Sequence, residues 1–238
     1  MSASVRTGRG RRLGIIAGLA LLPVLAAVAV SQAGSKTADP PDAGAESGEV
    51  ASLFAGIPQD GISLGDPDAP VVLAEFADPQ CPFCAEYARG VMPELVERYV
   101  RSGELRLELN LLAFIGPDSE RAARLALAAG LQDRLWEFTE LFYRSQGAEN
   151  SGYATDEFLR DLAEATPGLD VERAFRQRDS RRVHALLADA RARAQRLAVN
   201  STPSFFVSHH GGREQPFPVA ALEPGAFADP LDAQLESR

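Results

Sequence analysis

The sequence predicts an α/β fold in which a βαβ unit and a ββα unit are separated by a block of helices. Three observations carry this reading. The apolar run Val71–Ala77 is followed by a helical pattern and then a second strand pattern. Residues 118–198 have helical spacing almost throughout, and a strand, turn, strand and helix follow from Ser204. With 45% hydrophobic and 24% charged residues over 238 positions, the chain has the composition of a globular protein. That excludes a disordered chain, a collagen and a multi-span membrane protein.

The N-terminal segment gives an address. Arg6, Arg9, Arg11 and Arg12 precede Leu13–Val30, eighteen residues without a charge, and Ser31-Gln32-Ala33 follows. A basic stretch, an apolar run and small residues together resemble a bacterial export signal. Eighteen helical residues span about 27 Å, close to the roughly 30 Å hydrocarbon core, so residues 13–30 also suit a retained anchor. Residues 1–33 are therefore read as an export signal or membrane anchor, which sends the rest of the chain outward. Residues 34–51, rich in Gly, Ser, Ala, Asp, Pro and Glu, are expected to form a flexible tether. The folded domain is expected over 52–238, with its helical insertion at about 118–198.

Within that domain, Val71–Ala77 suits a central strand covered on both faces. A helix begins near Cys81, with Ala88, Val91, Met92, Leu95, Val96 and Tyr99 on one apolar face and a kink expected at Pro93. Leu105–Leu112 alternates and then turns wholly apolar, giving a second strand parallel to the first. Helices are expected from Ser119 to Ala129, Leu131 to Tyr143, Thr155 to Ala165, Val171 to Gln177 and Arg182 to Val199. Ser204–Ser208 reads as a strand, His209–Gly212 as a turn and Glu214–Val219 as an antiparallel return. A last helix is placed at about Pro224–Glu236.

Chemistry concentrates in Cys81-Pro82-Phe83-Cys84, which holds both cysteines of the chain. The pair lies where a strand hands over to a helix, and one helical turn brings residues i and i+3 together. With Cys81 at the N-cap, Pro82 falls at the first helical position, where its missing N–H is not needed. The Cys81 sulfur then faces unpaired backbone N–H groups and the positive end of the helix dipole, which favour thiolate. Cys84, one turn in, is expected to be buried and to act as the resolving thiol. Two other readings stand beside this one. A structural disulfide closing so small a ring contributes only about 2 kcal/mol. Half of a zinc site needs two further ligands; the candidates are His184, His209 and His210, and the adjacent His209 and His210 lack the usual separation. No metal and no cofactor are expected.

Cys-Pro-Phe-Cys at a strand-to-helix junction, preceded by Glu75-Phe76-Ala77-Asp78-Pro79-Gln80, resembles the DsbA-like branch of the thioredoxin superfamily. The resemblance extends over about residues 52–235 and includes the helical block between the two halves of the thioredoxin fold. Ser201-Thr202-Pro203 before the Ser204 strand matches the superfamily's cis-proline, which the resemblance assigns to Pro203. It implies a protein thiol–disulfide oxidoreductase in which Cys81 forms the mixed disulfide with a client cysteine and Cys84 resolves it. Thr202 and Pro203 then present backbone groups to the client, and Pro82 and Phe83 tune the reduced form. Glu75 stands where this branch often carries an acid beneath the pair, which suits a proton relay.

Net charge narrows the partners. The chain carries −9 overall, and once the four N-terminal arginines are set aside 20 basic residues face 33 acidic ones. So acidic a body is repelled by phosphate backbones, which disfavours nucleic acid. The partners expected are exported cysteine-containing proteins and a membrane redox partner that recycles the pair, with the chain itself a monomer. Net oxidation is favoured; a dedicated reductase, or a peptide-binding module whose cysteines only lock a loop, are the other readings.

Overall fold

The computed structural model describes residues 43–209 and 211–237. The export segment, the first part of the expected tether and His210 lie outside the described residues. A helix α1 (Ala43–Phe54) comes first, then a short hairpin, β1 (Gln59–Asp60) and β2 (Ser63–Leu64). The βαβ unit follows as β3 (Val71–Ala77), α2 (Pro82–Gly90), α3 (Met92–Leu95), a π-helical turn at Val96–Val100 and β4 (Leu105–Leu111). Helices α4 (Pro117–Gly130), α5 (Leu135–Arg144), α6 (Asp156–Ala165), α7 (Val171–Gln177) and α8 (Arg181–Arg196) form the insertion. The chain closes with β5 (Ser204–His209), β6 (Gln215–Pro216) and α9 (Pro224–Glu236).

The sheet order is β1-β2-β4-β3-β5-β6, with β3 and β4 parallel and the other pairs antiparallel. Successive strand side chains point to opposite faces, and here that alternation sorts them into two cores. Val71, Leu73 and Ala77 of β3 join Leu105, Leu107, Leu109 and Leu111 of β4 in the larger core. Ala74 and Phe76 pack on the other face with Ala190 and Ala194 of α8. Glu75, in phase with Leu73 and Ala77, therefore falls on the crowded face that also holds Cys84.

Several expectations are corrected. The tether assigned to 34–51 is helical from Ala43, and Val50 and Phe54 are buried in the main core. The folded unit thus begins before residue 52. Only these two apolar anchors, four residues apart, mark the helix in a segment otherwise poor in apolar groups, and long-range contacts complete it. Arg101 from the far side of the βαβ unit donates to the carbonyls of Ser52, Leu53 and Ala55 at 2.7–3.1 Å, satisfying the end of α1. The β1–β2 hairpin was not expected, because two-residue strands leave no period to read. Helix α5 begins at Leu135 rather than Leu131, after Asp133 at a φ of 55°. The helix expected to kink at Pro93 instead stops at Gly90 and restarts with Pro93 in its first turn, where a proline fits. The returning strand shrinks to Gln215–Pro216, since Pro216 and Pro218 have no N–H for the ladder.

Helix α1 is an integral layer, and its Phe54 lies 6.4 Å from the Trp136 ring, centroid to centroid. Phe54→Ala is expected to destabilise the protein by about 3–5 kcal/mol. Urea unfolding followed by the fluorescence of the single tryptophan measures it; an unchanged midpoint contradicts the integral role of α1.

Candidate active site

The turn that carries Cys81 is built on a buried carboxylate. Asp78 ends β3 with no exposed surface. Its Oδ1 accepts from the Gln80 N–H at 2.9 Å and from the Ser119 hydroxyl of α4. Its Oδ2 accepts from the N–H groups of Phe114 and Ile115 at 2.9 and 3.2 Å. The Asp78 carbonyl accepts from the Cys81 N–H at 3.0 Å and from the Tyr143 hydroxyl at 3.3 Å. Gln146, just beyond α5, donates to the carbonyls of Pro79 and Cys81. The turn is thus fastened to β4's exit loop, to α4 and to the end of α5.

Cys81 is the N-cap of α2, with φ −70° and ψ 119°, and Pro82 opens the helix. Both cysteines are free thiols. Cys84 is fully buried, whereas Cys81 keeps 4% of its surface exposed. In the protonated state the Cys81 thiol donates to the Thr202 carbonyl at 3.3 Å, and the Thr202–Pro203 peptide bond is cis. Phe83 points outward at 58% exposure, and Phe114 at 60%. The structure therefore gathers Cys81, Cys84, Pro82, Phe83, Thr202 and Pro203 at one end of the sheet, with Glu75 in the core beneath. His184, on α8, is not among them. Among the described residues, no group of three or more His, Cys, Asp or Glu side chains is arranged to hold a metal.

The two thiols have opposite proton affinities. Cys81 is held well below the ordinary thiol range, at about 6. The hydrogen bond from the Cys84 thiol is the largest cause; the Thr202 side chain and the N–H groups of Cys84 and Phe83 add to it, against partial burial. The N–H groups at the helix N-terminus thus act on Cys81 together with the neighbouring thiol. Cys84 is pushed well up, first by burial, then by donating to Cys81, then by the Glu75 charge. Burial also raises the Glu75 carboxyl to about 8, helped by charge on Cys81 and Glu140.

These are the parts of a dithiol–disulfide couple: a cap thiolate that keeps a little exposed surface, a fully buried partner thiol one helical turn on, and an acid behind them that holds its proton near neutral pH. A family model described as thioredoxin matches residues 58–217.

The chain belongs to the thioredoxin family. The helical block between the βαβ and ββα halves places it in the DsbA-like branch, and it is a thiol–disulfide oxidoreductase. A probable disulfide bond formation protein D from Bacillus anthracis is 33% identical over 199 residues, covering 82% of this chain and 86% of that one. A thioredoxin-like oxidoreductase from Silicibacter pomeroyi superposes with a TM-score of 0.60 at 28% identity, over 79% of this chain and 98% of that one. Oxidised BdbD from Bacillus subtilis shares the fold with a TM-score of 0.64 at 21% identity, over 74% of this chain and 93% of that one.

Several contributors were not singled out from sequence. An aspartate-proline pair directly after an apolar strand is a turn signal, and it marks Asp78. Trp136, Thr139, Glu140 and Tyr143 form an i, i+3, i+4, i+7 stripe on α5, and an acid within such a stripe marks Glu140. Nothing local marks Phe114.

The proton affinities set opposite pH dependences for the reduced protein. Cys81 titrates near 6 folded and near 9.0 unfolded, so its stabilising contribution is complete above pH 9 and is lost as pH falls through 6. Glu75 keeps its proton to about 8 when folded but releases it near 4.5 when unfolded, so it withdraws stability as pH rises from 4.5 to 8. Glu75→Gln is expected to raise the urea midpoint at pH 8 and to leave it nearly unchanged at pH 4. Alkylation of Cys81 should rise with an apparent pKa of about 6 while Cys84 stays unmodified. A Cys81 midpoint above 8 refutes this assignment.

Proposed function

We propose that this chain donates disulfides to exported proteins outside the cytoplasmic membrane. The observation that carries the reading is the divided pair: Cys81 favours thiolate at neutral pH, whereas Cys84 is buried behind it as a thiol. Whatever stabilises the reduced form makes the disulfide a stronger oxidant. In the oxidised enzyme, a client thiolate attacks the Cys81 sulfur, the Cys81–Cys84 bond breaks, and Cys84 leaves as a thiolate that takes a proton from Glu75. A second client thiolate then attacks the client sulfur of the mixed disulfide and releases Cys81 as thiolate. Two electrons pass from the client pair to the enzyme pair, and a membrane redox partner removes them.

Other residues support the same use. The Thr202 carbonyl lies beside the Cys81 sulfur, where it and Pro203 present backbone to an extended client segment. Pro82 fixes the start of the helix, and Phe83 and Phe114 offer apolar surface that an unfolded client provides and a folded one hides. The basic residues before the apolar run 13–30 support export, with the segment cleaved or retained as an anchor. No helix among the described residues is long and apolar enough to cross a membrane. No second copy enters the reaction, and the chain is read as a monomer.

Measurement of the reduction potential tests the direction. The expected value lies well above the −270 mV or so of thioredoxin; a value near it makes the chain a reductase. Cys81→Ser should abolish oxidative refolding of a reduced client, and Cys84→Ser should accumulate mixed disulfides trapped by alkylation in intact cells. Full activity of the Cys81→Ser, Cys84→Ser double variant identifies a binding module instead. Phe114→Ser is expected to raise KM for an unfolded client roughly tenfold, the effect of one exposed phenylalanine buried on binding.

A further inference from the structure

Helix α5 carries a second buried acid that the reaction as described does not use. Glu140 is 1% exposed. Its Oε1 accepts from the Arg144 Nε at 2.9 Å, and its Oε2 has no hydrogen-bond partner among the described residues. Eight other buried side-chain atoms share that condition, and three of them, Glu75 Oε1, Thr139 Oγ1 and Trp136 Nε1, belong to neighbouring residues. All four residues line one small pocket between β3, α2 and α5. Buried polar groups are almost always paired, and an unpaired one loses its hydration without return. Four in one place call for a common partner.

The size and chemistry of the pocket specify that partner. It holds about 10 Å³, the space one water molecule needs. The indole N–H donates only, the threonine hydroxyl donates or accepts, and the two carboxyl oxygens accept. A water has two hydrogens for the two carboxyl oxygens and two lone pairs for the indole and the hydroxyl. The set is complementary, with no group left over.

We propose that one internal water bridges Glu75 to Glu140 in this pocket, and that Thr139, Glu140 and Trp136 position it to replace the proton that Glu75 gives to Cys84. The proposal rests on the proton-transfer role of Glu75 stated above. When Cys84 leaves as a thiolate it takes the Glu75 proton; the water then gives a proton to the Glu75 carboxylate and takes in the same shift one that solvent has delivered to Glu140 Oε2, so that it is left neutral. No electron moves in these steps. Beyond Glu140 the route meets Arg144, whose side chain is 18% exposed and also pairs with Glu49 of α1 at 2.9 Å.

The charged and titratable groups facing this route are few. Around Glu75 stand Cys81, Cys84 and Tyr87 of α2 and Tyr143 of α5; burial keeps both tyrosines protonated. The β-strand neighbours paired with Glu75 are Leu109 and Phe205, which do not titrate. Around Glu140 stand Arg144 of its own helix, Arg89 of α2 and Glu46 of α1. Glu140 and Thr139 are positioning residues, since neither touches a reacting sulfur.

The single tryptophan makes the water directly observable. In the full-length reduced protein, the one indole N–H resonance should show cross-relaxation to a long-lived water, and Thr139→Val should weaken it. Single-turnover oxidation of a reduced peptide, followed by quench, reads the step in which Cys84 is released and protonated. Glu75→Gln, Glu140→Gln and Thr139→Val should each slow that step by about tenfold or more, within the range of acid–base assistance. The Cys81 alkylation midpoint should remain near that of the wild type in Thr139→Val. If Glu75→Gln alone slows the step and the indole shows no water contact, the water bridge is wrong and the Glu75 role stands. If Glu75→Gln leaves the step unchanged, the Glu75 role itself fails.

Discussion

The unequal surroundings of two sulfurs one helical turn apart set the chemistry of this protein. Cys81 is held below the ordinary thiol range and Cys84 is pushed above it, so the pair splits into one group that prefers to be charged and one that prefers to be neutral. Burial enforces the split, because the inner sulfur has no water to stabilise its charge while the outer one has the Thr202 side chain and two backbone N–H groups. Remove the turn of helix that holds them together and two ordinary thiols remain. Pro82 and the Asp78 carbonyl, which receives the Cys81 N–H, keep that turn in place.

The helical insertion does more than enlarge the fold. Through Ser119 it contributes to the Asp78 cluster, and through Gln146 it holds the carbonyls of Pro79 and Cys81. Helix α5 also supplies Tyr143 and Glu140 to the volume beneath the cysteines. A buried carboxylate with four or more donors is fixed far more firmly than a loop, so the turn inherits the rigidity of the core. The insertion and the βαβ half therefore share one polar centre.

The main elements were legible because they carry period. Val71–Ala77 and Leu105–Leu111 occur where continuous and alternating apolar runs place them, and Asp156–Ala165 follows its Thr155 cap, whose hydroxyl accepts from the Phe158 N–H. The cysteine pair was legible because a strand end, a proline and two cysteines at helical spacing admit few chemistries. What escaped reading depends on long-range contact. Helix α1 exists because Arg101, some fifty residues on, satisfies its last carbonyls. The role of Asp78 becomes visible only when Phe114, Ile115 and Ser119 converge on it. Spacing also makes the amides of the cap legible, whereas the part that the neighbouring thiol plays at Cys81 emerges only with the folded surroundings of the pair.

Cys81 keeps only 4% of its surface exposed, so a broad, flat surface meets little of it. So narrow an opening favours a slender, pliable, cysteine-bearing segment over a folded surface as the partner of that sulfur.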